Sequence, residues 1–418
     1  MNKKILFIVS GYYLNGGTTF LVRLIRELSK SGVLVEVLFL EDKGDKFLRE
    51  NLSQFCRLHF LMKSNMFSFL YRLIVFKRRS LKESKWLSSF DHVHVMGTFP
   101  LAYVLSSRES PRGLSVGVYQ QNEYFNSNKP KYLFQKLILD KLLLLRSSNW
   151  LFFNECNRSY FSEFFNNPSL LDASVIPIGI ANKSRRSEDD ICKNLIVSVG
   201  NLMSFKTYYL EVIKVVEKLA KKGIDLKYVI YGSGPDESEL SAEIKKRRLD
   251  EKVILKGRID YTLFDEYVSK AKVFVGSGTS LLESAILGVP SIVGVENSTD
   301  GKTYGFLHKI KGYSYNENNL DLEKYFLEDL IFHVLDIDIN SDCYQELCRK
   351  DRAKAKEFEI SNTANLFKEF IDKSSGKDEI LFQSMELIKA TISVFIASLA
   401  YLLKLDKSVK ERKSLGNL

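Results

Sequence analysis

The sequence predicts an α/β protein of two domains, each built on an open parallel sheet, followed by C-terminal helices. An apolar strand, a Gly-containing loop, an amphipathic helix and a second strand occur in that order near residue 4 and again near residue 195. Continuous apolar strands of this kind are typical of parallel sheets that are covered on both faces. The length of 418 residues is sufficient for two or three domains that each bury a core.

The first half of the chain contains the first of these strand–helix–strand units. Apolar residues recur at helical spacing after the first strand, and Gly32 ends the predicted helix. Because connections of this kind are right-handed, the strands are expected to be parallel. The first apolar run is only about six residues long, which favours a buried strand over a signal peptide. The predicted elements are strand 4–10, helix 18–30, and strands 33–40, 92–96 and 115–119.

The second half repeats the same order of elements. A loop with a Gly and a Lys follows its first strand, and Gly223 ends the helix. The predicted elements are strand 195–200, loop 201–206, helix 208–222, and strands 226–231, 252–256, 272–275 and 291–293.

Changes in composition place the domain boundaries. We expect Rossmann-like domains at residues 1–182 and 190–372 and a terminal helix with a basic tail at 373–418, with the polar stretch 181–190 as a hinge. The uncharged run 390–403 would form a helix about 21 Å long, which is shorter than the roughly 30 Å core of a bilayer, so no transmembrane span is predicted. This helix could pack on the body of the protein or lie in a membrane interface.

The net charge of +10 predicts an acidic partner. Residues 63–85 hold seven Lys or Arg against one Glu among aromatic and aliphatic residues, and residues 404–413 hold five against two acidic residues. Apolar anchors beside cations are typical of segments that dock on anionic membranes, so a docking segment is predicted at 63–87. A core-packing helix with a solvated basic face is the alternative. No nucleic-acid partner is expected, because no RNA- or DNA-binding motif accompanies the charge.

Four loops at predicted strand ends could bind a nucleotide phosphate. Ligands of open α/β sheets bind beyond the carboxyl ends of the strands, at Gly-rich loops and helix N-termini. The loops are Gly16–Thr19, Gly200–Lys206, Gly232–Pro235 and Gly276–Glu283. None of them matches a complete dinucleotide fingerprint or phosphate-loop motif, and it is their common position that predicts the site.

Over residues 1–370, these features resemble the family-four (group 1) retaining glycosyltransferases of the two-domain GT-B fold. The segment 281–290 (LLESAILGVP) is similar to that family's LLEAMACGxP motif, and 197–206, 231–235, 255–258, 91–94 and 175–180 match further family segments. The resemblance implies two domains that face a cleft, with a sugar nucleotide on the second domain and an acceptor on the first.

The resemblance also implies roles for individual residues. Lys206, with Arg258, would neutralise the donor diphosphate, and Glu283 would accept hydrogen bonds from the ribose. The amides of Gly278, Thr279 and Ser280 would contact the phosphates, a role that the free N–H groups of a helix start also support. The glycines expected to let the backbone approach the donor are Gly16, Gly17, Gly200, Gly232 and Gly234. No metal or other cofactor is expected.

The sequence departs from the family pattern at three positions. Val275 stands where the first Glu of the family's paired-Glu motif is expected, Asn201 where an Arg is usual, and Thr207 where a Gly is usual. The acidic contact to the donor sugar is therefore not accounted for by the motif.

Several candidate residues have a structural alternative. Ser280 and Glu283 form the S-x-x-E pattern of a capping box, which would make Glu283 structural. Lys206 could be a solvated lysine, and Gly16-Gly17 only a turn.

His92 and His94 share a strand, and we expect one of them to point into the core. His94 is the candidate for an acceptor-side base or orienting group. Asp336 and Asp338 imitate a metal motif but are interpreted as surface or capping residues.

The resemblance thus implies a hexosyltransferase that moves a sugar from a UDP- or GDP-linked donor to a glycan on a lipid diphosphate, in O-antigen or capsule assembly. Five scattered cysteines without metal spacing indicate a reducing compartment. Together with the basic segments, this predicts a cytoplasmic protein at the inner face of the cell membrane. A sugar-nucleotide epimerase and a catalytically silent nucleotide- or glycan-binding homologue are the alternatives.

Overall fold

The chain folds into two compact units. A computed structural model describes residues 3–13, 16–62, 70–119, 131–378 and 380–403. The first unit comprises Met1–Gly179 and Thr363–Leu418, and the second comprises Ile180–Asn362. Residues 363–372, which the sequence assigned to the second domain, therefore belong to the first unit, and so does the terminal segment that was predicted to be separate.

The first unit is built on a parallel sheet that has seven strands in the described part of the chain. The spatial order is β3-β2-β1-β4-β5-β6-β7, so β1 and β4 flank the point where the strand order reverses. The register places Ile5 of β1 between Val35 and His92. The strands are β1 Lys4–Val9, β2 Leu34–Phe39, β3 Arg57–Phe60, β4 His92–Met96, β5 Leu114–Gly117, β6 Trp150–Phe152 and β7 Ser174–Val175.

Helices connect these strands. The first helix buries Phe20, Leu24 and Leu28 on one face, as the helical spacing predicted. It begins at Gly16, so Gly16 and Gly17 form its first turn and not a separate loop. The helices are α1 Gly16–Lys30, α2 Lys46–Ser53, α3 Leu70–Val75, α4 Leu81–Ser88, α5 Thr98–Leu105, α6 Leu133–Leu142 and α7 Glu155–Phe164, with short 3-10 turns at Ser147–Asn149 and Pro168–Asp172.

Part of the predicted membrane-docking segment is packed into the first unit. Residues 63–69 lie outside the described residues. Phe76 is fully buried and stacks on Phe382 at 6.2 Å between ring centroids. The Arg78 guanidinium donates to the carbonyls of Ser107 and Phe382, at 3.0 and 2.8 Å. At residues 75–79 the core-packing alternative is thus the one observed, while Lys77, Lys82 and Lys85 remain exposed.

The second unit contains a parallel sheet with the order β10-β9-β8-β11-β12. The strand order reverses between β8 and β11, so the loops after these two strands flank the position where open α/β sheets bind ligands. The strands are β8 Leu195–Val199, β9 Lys227–Tyr231, β10 Val253–Leu255, β11 Val273–Gly276 and β12 Ser291–Val293, with an antiparallel pair of β13 Lys302–Thr303 and β14 Tyr325–Phe326.

The helices of the second unit cover this sheet, and hydrophobic clusters lie on its two faces. They are α8 Tyr208–Lys221, α9 Glu237–Lys246, α10 Phe264–Val268, α11 Thr279–Ile286, α12 Leu327–Asp336 and α13 Asp342–Lys356, with 3-10 turns at Tyr261–Leu263 and Leu307–Lys309. The two parallel-sheet domains that the sequence predicts are therefore confirmed.

The C-terminal helices complete the core of the first unit. They are α14 Ile360–Lys373 and α15 Ser384–Leu402. Phe367 of α14 stacks on Phe7 of β1 at 5.6 Å, and Leu387 and Val394 of α15 belong to the first unit's hydrophobic cluster. Among the helices formed by the described residues, none is long and apolar enough to cross a membrane.

Candidate functional site

Backbone hydrogen bonds join two of the predicted loops, those that begin at Gly200 and Gly232, and the turn at Gly257 at the strand ends of the second unit. The Gly200 amide donates to the Tyr231 carbonyl at 3.0 Å, and the Gly232 amide donates to the Gly257 carbonyl at 2.8 Å. A Cβ atom on Gly232 would overlap the Gly200 carbonyl oxygen, and one on Gly234 would overlap that of Leu202. Glycine is therefore required at both positions by the close approach of the neighbouring backbone.

The helix after β11 begins without a side-chain cap. Gly278 is the N-cap residue, with φ 65°, and no side chain accepts a hydrogen bond from the first turn of α11. The Ser280 hydroxyl donates instead to the carbonyls of Val199 and Ser277, at 2.7 and 3.1 Å. The capping-box interpretation of Ser280 and Glu283 is therefore wrong. The amides at this helix start carry the positive end of the helix dipole, which favours an anion.

Glu283 lies in the same helix and is 2% exposed. Its carboxylate accepts a hydrogen bond from the Tyr261 hydroxyl at 2.7 Å and pairs with the Lys183 ammonium at 3.3 Å. Lys183 also pairs with Asp265 and lies 4.4 Å from the centre of the Phe264 ring. Glu283 is thus a nearly buried carboxylate whose charge is balanced by a lysine.

Neither Lys183 nor Tyr261 was identified as a site residue from the sequence. Lys183 belongs to the polar stretch 181–190, which we predicted to be a hinge. In the structure, this stretch is bonded to the second unit, because the Arg186 amide donates to the Leu287 carbonyl at 3.0 Å and its guanidinium donates to the Ser269 carbonyl at 2.8 Å. The residues next to Lys183 and Tyr261 in the sequence do not indicate that either side chain contacts a buried carboxylate.

Lys206 and Tyr209 face the turn at Gly200. The Lys206 ammonium and the Tyr209 hydroxyl each lie 3.0 Å from the position that a Cβ atom on Gly200 would occupy. Lys206 is half-buried. The Tyr209 side chain is buried, and its hydroxyl has no hydrogen-bond partner among the described residues. Burial, followed by the nearby Tyr208, raises the pKa of Tyr209 well above its usual value, so the hydroxyl stays protonated.

A second carboxylate, Glu296, follows β12. The Ser277 hydroxyl donates to it at 2.7 Å, which places it beside the start of α11. The next residue, Asn297, donates its amide to the Phe205 carbonyl at 2.6 Å and so joins this loop to Gly200–Lys206. Val275, where the family pattern expects a carboxylate, is fully buried in a hydrophobic cluster. Glu296 was not identified from the sequence, because it lies outside the motif.

Arg258 and the two first-unit glycines have less enclosed surroundings. Arg258 is exposed after β10, next to Gly257, whose carbonyl accepts the Gly232 amide. Gly16 is exposed in the first turn of α1, and a Cβ atom there would have no neighbour within 4 Å. Close backbone packing therefore does not explain the glycine at position 16.

His94 lies in the core of the first unit. It is fully buried, and its ring nitrogens contact the Ser115 and Tyr119 hydroxyls at 2.7 and 2.9 Å. His92 is also buried and bonds the same Ser115 hydroxyl at 2.7 Å, so both rings lie on one side of β4 and not one inside and one outside. Burial lowers the pKa of both, to about 3 for His92 and well below the usual value for His94. These are the surroundings of a neutral structural histidine.

Asp336 and Asp338 cap a turn. Asp336 is the last residue of α12, and the Asp338 carboxylate accepts the Asn340 amide at 2.9 Å. In the part of the chain that the structure describes, no three His, Cys, Asp or Glu side chains are grouped as metal ligands.

Residues 181–315, which lie within the second unit, match the family model described as Glycosyl transferases group 1. This region contains every predicted second-unit site residue, from Gly200 to Glu283. No curated protein matches the chain significantly in sequence.

Solved structures share the fold over most of the chain. A glycosyltransferase of Rickettsia africae superimposes with a TM-score of 0.61 at 13% identity, covering 89% of this chain and 98% of its own. The lipopolysaccharide outer core galactosyltransferase WaaB superimposes with a TM-score of 0.57 at 18% identity, and the match covers 88% of this chain and 99% of WaaB. HepE of Anabaena, solved with UDP and glucose, superimposes with a TM-score of 0.57 at 14% identity, and the match covers 89% of this chain and 100% of HepE. At these identities the likeness concerns the fold, which is that of GT-B glycosyltransferases.

Proposed function

We propose that this glycosyltransferase, whose residues 181–315 match the group 1 family model, transfers a hexose from a nucleoside-diphosphate sugar to a lipid-linked glycan. The observation that supports this most is the meeting of an uncapped helix start with the Gly200–Lys206 loop at the point where the strand order of the second sheet reverses. Backbone amides and a lysine at such a point suit a diphosphate.

The diphosphate would lie against the start of α11. The amides of Gly278, Thr279 and Ser280 would donate to its oxygens, and Lys206 and Arg258 would supply positive charge. Fixed donors of this kind stabilise the negative charge that develops on a leaving diphosphate. The proposed reaction therefore requires no metal ion.

Glu283 would bind the nucleoside. A carboxylate is acceptor-only and can take two ribose hydroxyls. In this structure its oxygens are engaged by Tyr261 and Lys183. The ribose hydroxyls would take the place of the Tyr261 hydroxyl or bind beside it, while Lys183 keeps the buried charge balanced.

The chemical step would be transfer with retention at the sugar's anomeric carbon. The bond from that carbon to the diphosphate oxygen breaks, and the bonding electrons leave with the diphosphate. The acceptor hydroxyl oxygen forms the new bond, and its proton passes to the departing diphosphate. Retention follows from the family resemblance.

The acceptor would be a glycan on a lipid diphosphate at the inner face of the cell membrane, in surface polysaccharide assembly such as O-antigen or capsule. WaaB, whose fold the chain shares, is a lipopolysaccharide galactosyltransferase, which supports a surface glycan as acceptor. The exposed cations Lys77, Lys82 and Lys85 support association with an anionic membrane.

Calorimetry with UDP and with GDP tests the donor site. We expect one of the two to bind, and we expect Lys206→Ala to weaken that binding at least about tenfold, since one charge-assisted contact contributes about 1.5–3 kcal/mol. Lys221→Ala, which removes an exposed lysine of α8, is the matched control and should bind normally. Unchanged affinity of Lys206→Ala would contradict the proposed diphosphate contact.

Product analysis tests the reaction. A transferase releases the nucleoside diphosphate from the sugar nucleotide when a lipid-linked acceptor is added, and the proposed metal-independent transferase keeps its full rate after treatment with EDTA. An epimerase would interconvert the sugar nucleotide without an acceptor. Binding without any turnover would favour the silent homologue, for which the buried Val275 is the supporting observation.

A further inference from the structure

The outer face of α15 is a continuous stripe of exposed apolar side chains. Seven residues at helical spacing form this apolar stripe, with exposed fractions between 41% and 66%. They are Met385, Ile388, Ile392, Phe395, Ile396, Leu399 and Leu403. Large contiguous apolar patches are uncommon on soluble proteins and mark sites of association.

The opposite face of α15 is fixed to the first unit. Leu387, Ala390 and Val394 are buried there. The Ser393 hydroxyl accepts the Phe134 amide at 3.1 Å, and Glu386 pairs with Lys141 at 2.9 Å. Because both polar and apolar contacts hold this face, the helix cannot turn its stripe inward.

This pattern differs from that of an ordinary surface helix. A helix at a protein surface is polar on its outer side, and a helix that is apolar all round is normally enclosed. Residues 390–403 contain no charged side chain, although half of the helix circumference faces outward. The stripe therefore requires an apolar environment that the described residues of the first unit do not provide.

Positive charge lies beside the stripe, and the sequence that follows it is basic. Lys389 is exposed near its start, and residues 404–413, directly after Leu403, carry a net charge of +3. The Thr391 hydroxyl contacts the Phe76 carbonyl at 3.4 Å, and the next residue, Lys77, is exposed. Cations around an apolar surface complement anionic lipid headgroups, whereas a second copy of the same stripe would bring like charges together.

We propose that α15 is the membrane-contacting element of this protein, lying in the plane of an anionic bilayer with the apolar stripe inserted among the lipids. This rests on the proposed function and deepens its membrane association, because it assigns a contact to α15, whereas Phe76 of the 63–87 segment is buried. The packed inner face holds the helix parallel to the surface of the first unit. The stripe is the insertion surface of an interfacial helix.

Sedimentation with vesicles tests the assignment. The full chain is mixed with vesicles of phosphatidylglycerol and phosphatidylcholine, and with vesicles of phosphatidylcholine alone. We expect binding to the anionic vesicles at low salt and at least about tenfold weaker binding of the double variant Ile392→Glu, Phe395→Glu. Phe47→Glu is the matched control, since Phe47 is 70% exposed on α2 and distant in sequence, and it should bind as the wild type does.

Each of the other outcomes contradicts one part of this proposal. If the wild type ignores anionic vesicles, membrane association is wrong, while UDP or GDP binding still tests the transferase separately. If the wild type binds and the double variant binds equally well, the contact lies elsewhere. If light scattering detects a dimer that the double variant disrupts, and vesicles do not bind, the stripe is covered by a second copy. Equal thermal midpoints of the variants show that the fold is retained.

Discussion

His94 and Glu283 are both nearly inaccessible to solvent, yet their surroundings differ. The His94 ring lies among aromatic side chains, 5.5 Å from Phe7 and 5.3 Å from Phe367 between ring centroids. Glu283 is held by Lys183 and Tyr261, and Tyr261 is itself half exposed. The first environment stabilises a neutral ring, and the second stabilises a charge near the surface where a ligand can reach its partners.

The buried histidines predict a loss of stability in mild acid. Unfolded histidine takes up a proton near pH 6.5, whereas the folded pKa of His92 is about 3 and that of His94 is also well below the usual value. Protonation therefore favours the unfolded chain, and the stabilisation present above pH 6.5 is lost as the pH falls towards 3. The free energy of unfolding should decrease by up to about 1.4 kcal/mol per pH unit for each histidine.

Urea unfolding between pH 7.5 and pH 5 measures this slope. His92→Asn should have a shallower slope than the wild type, because one histidine no longer contributes. A free energy of unfolding that is constant over this range would show that the two rings are accessible to protons in the folded state.

The ion pair at Glu283 predicts strong coupling between two side chains. Lys183→Met leaves a nearly buried carboxylate without its cation and should destabilise the second unit by about 3–5 kcal/mol. Removal of both charges in Lys183→Met, Glu283→Leu should cost clearly less than the sum of the single changes. Chemical unfolding of the four proteins measures this, and additive effects would mean that the two groups do not interact.

At the scale of elements, the strand-end loops of the second unit are held by backbone contacts. The loops after β8, β9, β10 and β12 are joined by amide–carbonyl bonds, and the start of α11 is tied to β8 through Ser280. Bonds between backbone groups can form with many different side chains. Where two backbones approach closely, however, they leave no room for a Cβ atom. Glycine positions therefore report the geometry of these loops.

Gly232→Ala should disturb the site more than its size suggests. The new methyl group would overlap the Gly200 carbonyl oxygen, which must move together with the turn that faces Lys206. We expect a lower thermal midpoint and at least about tenfold weaker nucleotide binding, which corresponds to about 1.4 kcal/mol. Gly16→Ala meets no atom within 4 Å and lies in a helix, so its thermal midpoint should stay the same or rise. Normal nucleotide binding by Gly232→Ala would contradict the proposed position of the loop.

At the scale of the whole molecule, the chain leaves the first unit after residue 179 and returns to it at residue 363. The returning segment supplies core residues: Phe367 packs on β1, and Phe382 packs on Phe76. The first unit is therefore incomplete until the C-terminal helices have formed, although they are made last during synthesis.

Phe367→Ala tests this dependence. Loss of a fully buried phenylalanine should cost about 3–5 kcal/mol and should accelerate amide exchange in β1 and β4, which are more than 250 residues away in sequence. Phe332→Ala, on the 44% exposed Phe332 of α12, should cost less than about 1 kcal/mol. Unchanged exchange in β1 and β4 would mean that α14 is not part of that core.

Local patterns were sufficient to predict the long strands, the helices α1 and α8, and the loops at the ends of β8, β9 and β11. Apolar runs and helical periodicity depend on neighbouring residues, so they can be read directly from the chain. The short strands β3, β6, β7, β13 and β14 were missed, whereas β10 and β12 of similar length were predicted, because two to four residues are too few to show a reliable periodicity. The site loops were found since Gly-rich turns after strands are local as well.

Contacts between distant residues were decided only by the tertiary structure. Lys183 meets Glu283 one hundred residues away, and Glu296 reaches the start of α11 from another strand. The return of residues 363–403 to the first unit, and the outward orientation of half of α15, depend on which surfaces remain uncovered once the sheets have formed. Hydrophobic burial is non-directional, so the sequence of α15 shows only that it is apolar, and the packed neighbours determine which of its faces stays exposed.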